Sequence, residues 1–204
     1  MIVRKALLKL TVLVFLTNCS NTGSNKSNSV VNNAVESTIM QGSTAPDRNK
    51  EFSRYLCEIN TLDLPYETSC NTFNPVTPEY DSALVSKFAG SYTEIPFRRI
   101  HTNHSYEIII NFIIADNYVP IVKTYGETGK IISSRRFFNG YCGEDPGYLH
   151  YESIRIAPDL TITQTDSTWT WQIDSLDNEL PGTKKFEVIT THYCIDNSGE
   201  ILKR

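Results

Sequence analysis

From Tyr106 to Ile114 the chain reads Tyr-Glu-Ile-Ile-Ile-Asn-Phe-Ile-Ile, the most apolar stretch beyond the N-terminal leader. The lack of alternation predicts a central strand covered on both faces. Residues 168–173 alternate cleanly instead, placing Trp169, Trp171 and Ile173 on one side of a strand. Further strands are predicted over 92–100, 118–125, 130–138, 148–156, 160–165, 184–195 and 200–202. Pro96 cannot donate to a ladder, so the 92–100 strand belongs at an edge. Gly126-Glu127-Thr128-Gly129, Ala157-Pro158-Asp159 and Asp196-Asn197-Ser198-Gly199 separate neighbouring strands as tight turns.

Ahead of the strands, Phe52, Tyr55, Leu56 and Ile59 recur at helical spacing after a capping Asp47. This helix must end before Leu64-Pro65, because the residue preceding proline is pushed out of the α region. Residues 66–80 read as a loop and 81–88 as a second short helix. The expected fold is mainly β: a single antiparallel meander or open sheet, preceded by one or two short helices. The recurrence of aromatic, turn, glycine and two aliphatics at Tyr125–Ile132 and Tyr193–Leu202 keeps propeller-like hairpins as the variant.

At the N-terminus, Arg4 and Lys5 precede an apolar run of about eleven residues, half the roughly twenty needed to span a bilayer as a helix. That length suits the core of an export signal. The run closes at Leu16-Thr17-Asn18-Cys19 and turns abruptly polar, an ending that resembles a bacterial lipobox although Asn18 replaces the usual small residue. The resemblance implies cleavage before Cys19 and acylation of its thiol and freed amine. Residues 20–46 hold eleven Ser or Asn and few bulky apolar side chains, and read as a flexible tether. The organisation is therefore a signal peptide over 1–18, an acylated cysteine and tether over 19–46, and a β domain over 47–204. Lipobox, tether, Leu64-Pro65-Tyr66 and the Tyr125 to Ile132 pattern together resemble small cell-envelope lipoproteins of Gram-negative bacteria. That family brings no activity with it. The lack of Asp after Cys19 points to the outer membrane.

Loss of residues 1–18 removes three of 19 basic residues, leaving 16 against 23 acidic ones, a formal charge of −7. A surface of that sign argues against nucleic acid as partner. With Cys19 assigned to lipid, Cys57, Cys70, Cys142 and Cys194 remain as an even set for two disulfides in an oxidising compartment. Three pairings are possible. Cys57–Cys70 with Cys142–Cys194 is the favoured one.

Candidate chemistry is sparse. The chain has no G-x-S-x-G, G-x-G-x-x-G, P-loop or H-E-x-x-H motif, so no catalytic residue, metal or cofactor is assigned. His101 and His104 would need a third ligand, such as Glu107, Asp116 or His150, before they could hold a metal. Arg98 or Arg99 with Arg135 or Arg136 would clamp an anionic ligand if they converged. Trp169 and Trp171, with Tyr141, Tyr148 and Tyr151, would form a stacking platform for sugar or peptide. The reading that follows is a lipid-anchored envelope domain, more binding or scaffolding module than enzyme, with a protein, peptide or glycan partner. Its rivals are a carrier of small anions and a hydrolase with an unfamiliar site, the latter favoured if His101 or His150 lies near a carboxylate.

Overall fold

The computed structural model describes residues 48–71, 80–91, 93–115, 117–139 and 141–204. The expected leader, Cys19, the tether and Asp116 lie outside them, as does most of the predicted loop over 66–80. The described residues belong to the compact unit Ser43–Arg204.

Among the described residues, eleven strands and two short helices follow one another. Helix α1 (Arg48–Glu58) leads into β1 (Thr61–Leu62) and β2 (Tyr66–Ser69), and α2 (Ser82–Phe88) follows. Then come β3 (Glu94–Ile100), β4 (Tyr106–Ile114), β5 (Tyr118–Gly126), β6 (Ile131–Arg136) and β7 (Gly143–Asp145). The chain ends in β8 (Tyr148–Ile156), β9 (Thr161–Thr170), β10 (Lys185–Ile195) and β11 (Ile201–Lys203). The fold is mainly β with two helices, as the patterning predicts, but the strands divide between two sheets. The first has the order β1-β3-β4-β5-β6, the second β11-β10-β9-β8-β2 with β7 also on β8.

The unbroken apolar run of β4 lies inside the first sheet because both of its faces are used. Ile108, Ile110 and Phe112 meet Ile154, Ile156, Ile162 and Tyr193 of the second sheet in one core. Ile109 points the other way, into a cluster with Phe52 and Tyr55 of α1, Ile59 just after it, and Leu84 and Phe88 of α2. The first sheet is thus the middle layer, with helices on one side and the second sheet on the other. Asp81 starts α2 by accepting the Ala83 amide hydrogen at 2.9 Å. The β5–β6 turn fits beneath the helices only because residue 129 lacks a side chain: Gly129 has φ +74, and a Cβ there would lie 2.6 Å from the Phe52 and Phe88 rings. Pro96 does sit near an edge, at a register shift in β3 and with only the two-residue β1 outside it.

Two local expectations are corrected. Residues 66–69 form a strand rather than a loop, held by the β8 edge that their sequence does not advertise. The stretch 160–165 and the start of 168–173 join in one continuous strand, β9, because β8 and β10 pair along it on both sides; it ends at Thr170, so Trp171 and Ile173 lie beyond it.

The pairing of Cys70 is also a correction. Cys70 bonds Cys142, not Cys57, and Cys194 is free. The reason lies in how β8 is edged. Ser69 of β2 opposes Ser153, while Gly143 of β7 opposes His150, so the two short strands lie end to end along one side of β8. Cys70 continues β2 by donating its amide hydrogen to the Glu152 carbonyl at 3.0 Å. The two halves of this composite edge meet at Cys70 and Cys142, whose Cα atoms are 5.9 Å apart. A sequence separation of 72 makes the closure worth about 4 kcal/mol in the chain-entropy description.

Candidate functional site

Two regions of the second sheet carry chemistry. The first is on the face turned toward the first sheet. Along β8, His150, Glu152, Ile154 and Ile156 are buried at every second position. The apolar pair Ile154 and Ile156 joins the core, and the polar pair extends the same row past it. Asp166 of β9 stands directly opposite Glu152 in the ladder, so its side chain shares that face.

Residues 137–139 and 141–142, between β6 and β7, fold across this polar end. Gln164 donates to the Phe137 carbonyl, and Glu152 accepts the Asn139 backbone amide hydrogen at 2.9 Å and its side-chain amide at 3.4 Å. The Tyr141 carbonyl accepts from His150 Nδ1 at 2.9 Å. That carbonyl can only accept, so Nδ1 carries a proton and Nε2 is turned to Asp166 Oδ1, 2.9 Å away. Tyr141 and Tyr148 stack on the imidazole with centroids 6.2 Å from it. One ligand atom from each of His150, Glu152 and Asp166 falls within a 4.8 Å span. Burial raises the Glu152 carboxyl above the ordinary carboxylate range, opposed by the Asn139 amide and His150. No hydroxyl or thiol bonds the His150 ring among the described residues; its partners are a carbonyl and a carboxylate.

The second region is the far end of the β9–β10 hairpin. β11 pairs only with Tyr193, Cys194 and Ile195, so the earlier part of β10 has β9 on one side and no described strand on the other. From Lys185 to Thr190 that part is exposed throughout, including Phe186 at 57%, Val188 at 45% and Ile189 at 55%. Leu176 and Leu180, in the connection from β9 to β10, are exposed as well. Thr168, Thr170, Lys185, Phe186 and Glu187 line an open groove there.

The residues singled out from sequence are dispersed. Arg98 bonds the Phe97 carbonyl and lies over that ring, while Arg99 faces Glu107 at 4.0 Å. Arg135 bonds the Tyr193 hydroxyl at 2.8 Å and covers its ring, and Arg136 bonds the Phe138 carbonyl. β3 and β6 are separated by β4 and β5, so the two arginine pairs occupy opposite sides of the sheet and do not converge. Trp169 stacks on Phe186 at 4.5 Å, and Trp171 lies under Lys184. Tyr141 and Tyr148 gather instead around His150, so the aromatic platform is split. His101 and His104 are exposed in the β3–β4 turn, His104 stacked on Tyr106. Sequence reasoning missed Glu152 and Asp166. The i, i+2 spacing of His150 and Glu152 was a signal that they share a strand face, but Asp166 is joined to them only by the β8–β9 register. No family model, curated protein or solved structure matches the chain.

Proposed function

We propose that the protein is a lipid-anchored binding domain of the cell envelope, held to the membrane through Cys19 and engaging a protein partner by strand addition along β10. The observation that carries the docking half is the edge of β10 from Lys185 to Thr191, which pairs with no described strand and exposes Phe186, Val188 and Ile189. An unpaired strand offers a row of backbone donors and acceptors, and proteins ordinarily shorten, charge or cover such edges. Here it projects beyond the core with Phe186, Val188 and Ile189 uncovered. An extended segment of another envelope protein would take up the backbone groups, and its side chains would meet these apolar residues. A glycan fits less well, because the Trp169 face it would stack on is already covered by Phe186.

The anchoring half rests on the lipobox resemblance at Cys19 and the polar run after it. Two measurements test the reading. A photo-crosslinker replacing Phe186 in the full chain, expressed in a Gram-negative envelope, is expected to give one discrete adduct that a crosslinker at Leu202 does not give. Equal labelling from both positions overturns the docking half. Detergent partitioning is expected for the wild type and lost in Cys19→Ala; a soluble wild type overturns the anchor.

A further inference from the structure

We propose that His150, Glu152 and Asp166 form a site for one divalent first-row transition-metal ion, with an imidazole and two carboxylates as its protein ligands. The inference is independent of the anchoring and docking reading.

Geometry supplies the first reason. The three residues come from adjacent strands of one sheet, His150 and Glu152 on the same face of β8 and Asp166 across the ladder. Their ligand atoms already lie within 4.8 Å of one another, so a central ion would be reached by small side-chain rotations rather than backbone movement. The second reason is the tautomer. Metal-binding histidines commonly donate the other ring N–H to a carbonyl or carboxylate, which fixes the ring and frees the second nitrogen. The Tyr141 carbonyl holds His150 Nδ1 in this way, and Tyr141 and Tyr148 pack against the ring. Nε2 is then the nitrogen aimed at the carboxylates.

Charge is the third reason. Two carboxylates face one imidazole, Glu152 is fully buried, and no lysine or arginine ion-pairs with either acid among the described residues. A divalent cation would balance this surplus where the protein supplies no second cationic side chain. Access is the fourth: the Asp166 side chain is 26% exposed, leaving that side open to an entering ion and to water ligands. The ligand class follows from the donors. One nitrogen and two oxygens suit zinc, manganese or ferrous iron, and the neighbouring sulfurs of Cys70 and Cys142 are bound to each other rather than offered as thiolates. The exposed pair His101 and His104 has no such second set of contacts and serves as the control.

The full chain, stripped with chelator, would be titrated with Zn²⁺ and separately with Co²⁺. The expected result is one equivalent bound per chain, a rise in Tm, and a Co²⁺ visible spectrum displaced by Zn²⁺. Asp166→Asn and Glu152→Gln are each expected to weaken binding by about tenfold or more, while His101→Ala with His104→Ala leaves it unchanged. X-ray absorption of the Co²⁺-loaded wild type needs no variant and is expected to show one imidazole among oxygen ligands. No stoichiometric binding by the wild type overturns the proposal, as does a Co²⁺ shell without imidazole. Binding that survives in folded Asp166→Asn and Glu152→Gln but is lost with His101 and His104 overturns it too.

Discussion

The middle sheet separates two buried polar clusters that solve the same problem differently. On its helix side, Lys123 of β5 is buried and its ammonium group meets both the Glu94 carboxylate and the Ala89 carbonyl. Tyr125 donates its hydroxyl to the Phe88 carbonyl at 3.1 Å, tying the same sheet face to the end of α2. One cation answers one anion, and the cluster closes on itself. On the other side, His150 is outnumbered by Glu152 and Asp166, and one of those acids reaches solvent. The lesson is that burial alone does not mark a site. A buried pair whose charges cancel holds layers together, whereas an acid surplus with an open side has capacity for something more.

The sharpest way to break this contrast is alkali. Burial pushes the Tyr55 and Tyr125 hydroxyls far above their usual value, and it raises Tyr66 to about 12. A folded value above the unfolded one means that this stability is complete below about pH 10 and is lost as pH climbs through the folded values. Unfolding by circular dichroism is therefore expected above pH 10, and the share of the 295 nm tyrosinate absorbance that Tyr55→Phe and Tyr125→Phe remove should rise in the same transition. That share appearing without unfolding would show that the helix side opens freely.

Next in size is Lys123→Ala, which strands Glu94 in the interior; a loss of about 3–5 kcal/mol is expected in urea unfolding. Adding Glu94→Gln should recover part of it, because the unpaired charge is then gone. The disulfide follows. Cys70→Ser with Cys142→Ser is expected to cost about 2–4 kcal/mol and to increase hydrogen exchange in β2 and β7, the two halves of the composite edge. The effect on the helix side should be small, which separates the two clusters. Smallest is Phe186→Ser on the projecting hairpin. Exposed and outside both cores, it should change stability by within about 0.5 kcal/mol, while removing an apolar residue of the proposed docking edge.

Much of the architecture was readable in the chain. The run of β4 announced a strand with cover on both sides, and its alternate residues do enter two different cores. Turns at Gly129, Asp159 and Gly199 were placed by local chemistry, and Asp196 closes the last by accepting from Ser198 and the Glu200 amide. The division into two sheets was not readable, since every hairpin satisfies its own turn and pattern wherever the sheet is broken. Nor was β2, four residues whose strand character comes from β8 rather than from themselves.

The candidate site shows the same limit in miniature. Sequence determined that His150 and Glu152 share a strand face, because side chains in a strand repeat with period two. It also determined the short helices and the apolar central strand, both properties of neighbouring residues. Only the tertiary structure decided that Asp166 stands opposite Glu152, that the Tyr141 carbonyl fixes the imidazole, and that Cys70 finds Cys142. These depend on ladder register and on which strands share an edge. Both are set by the collective burial of a core, which no local window of the chain contains.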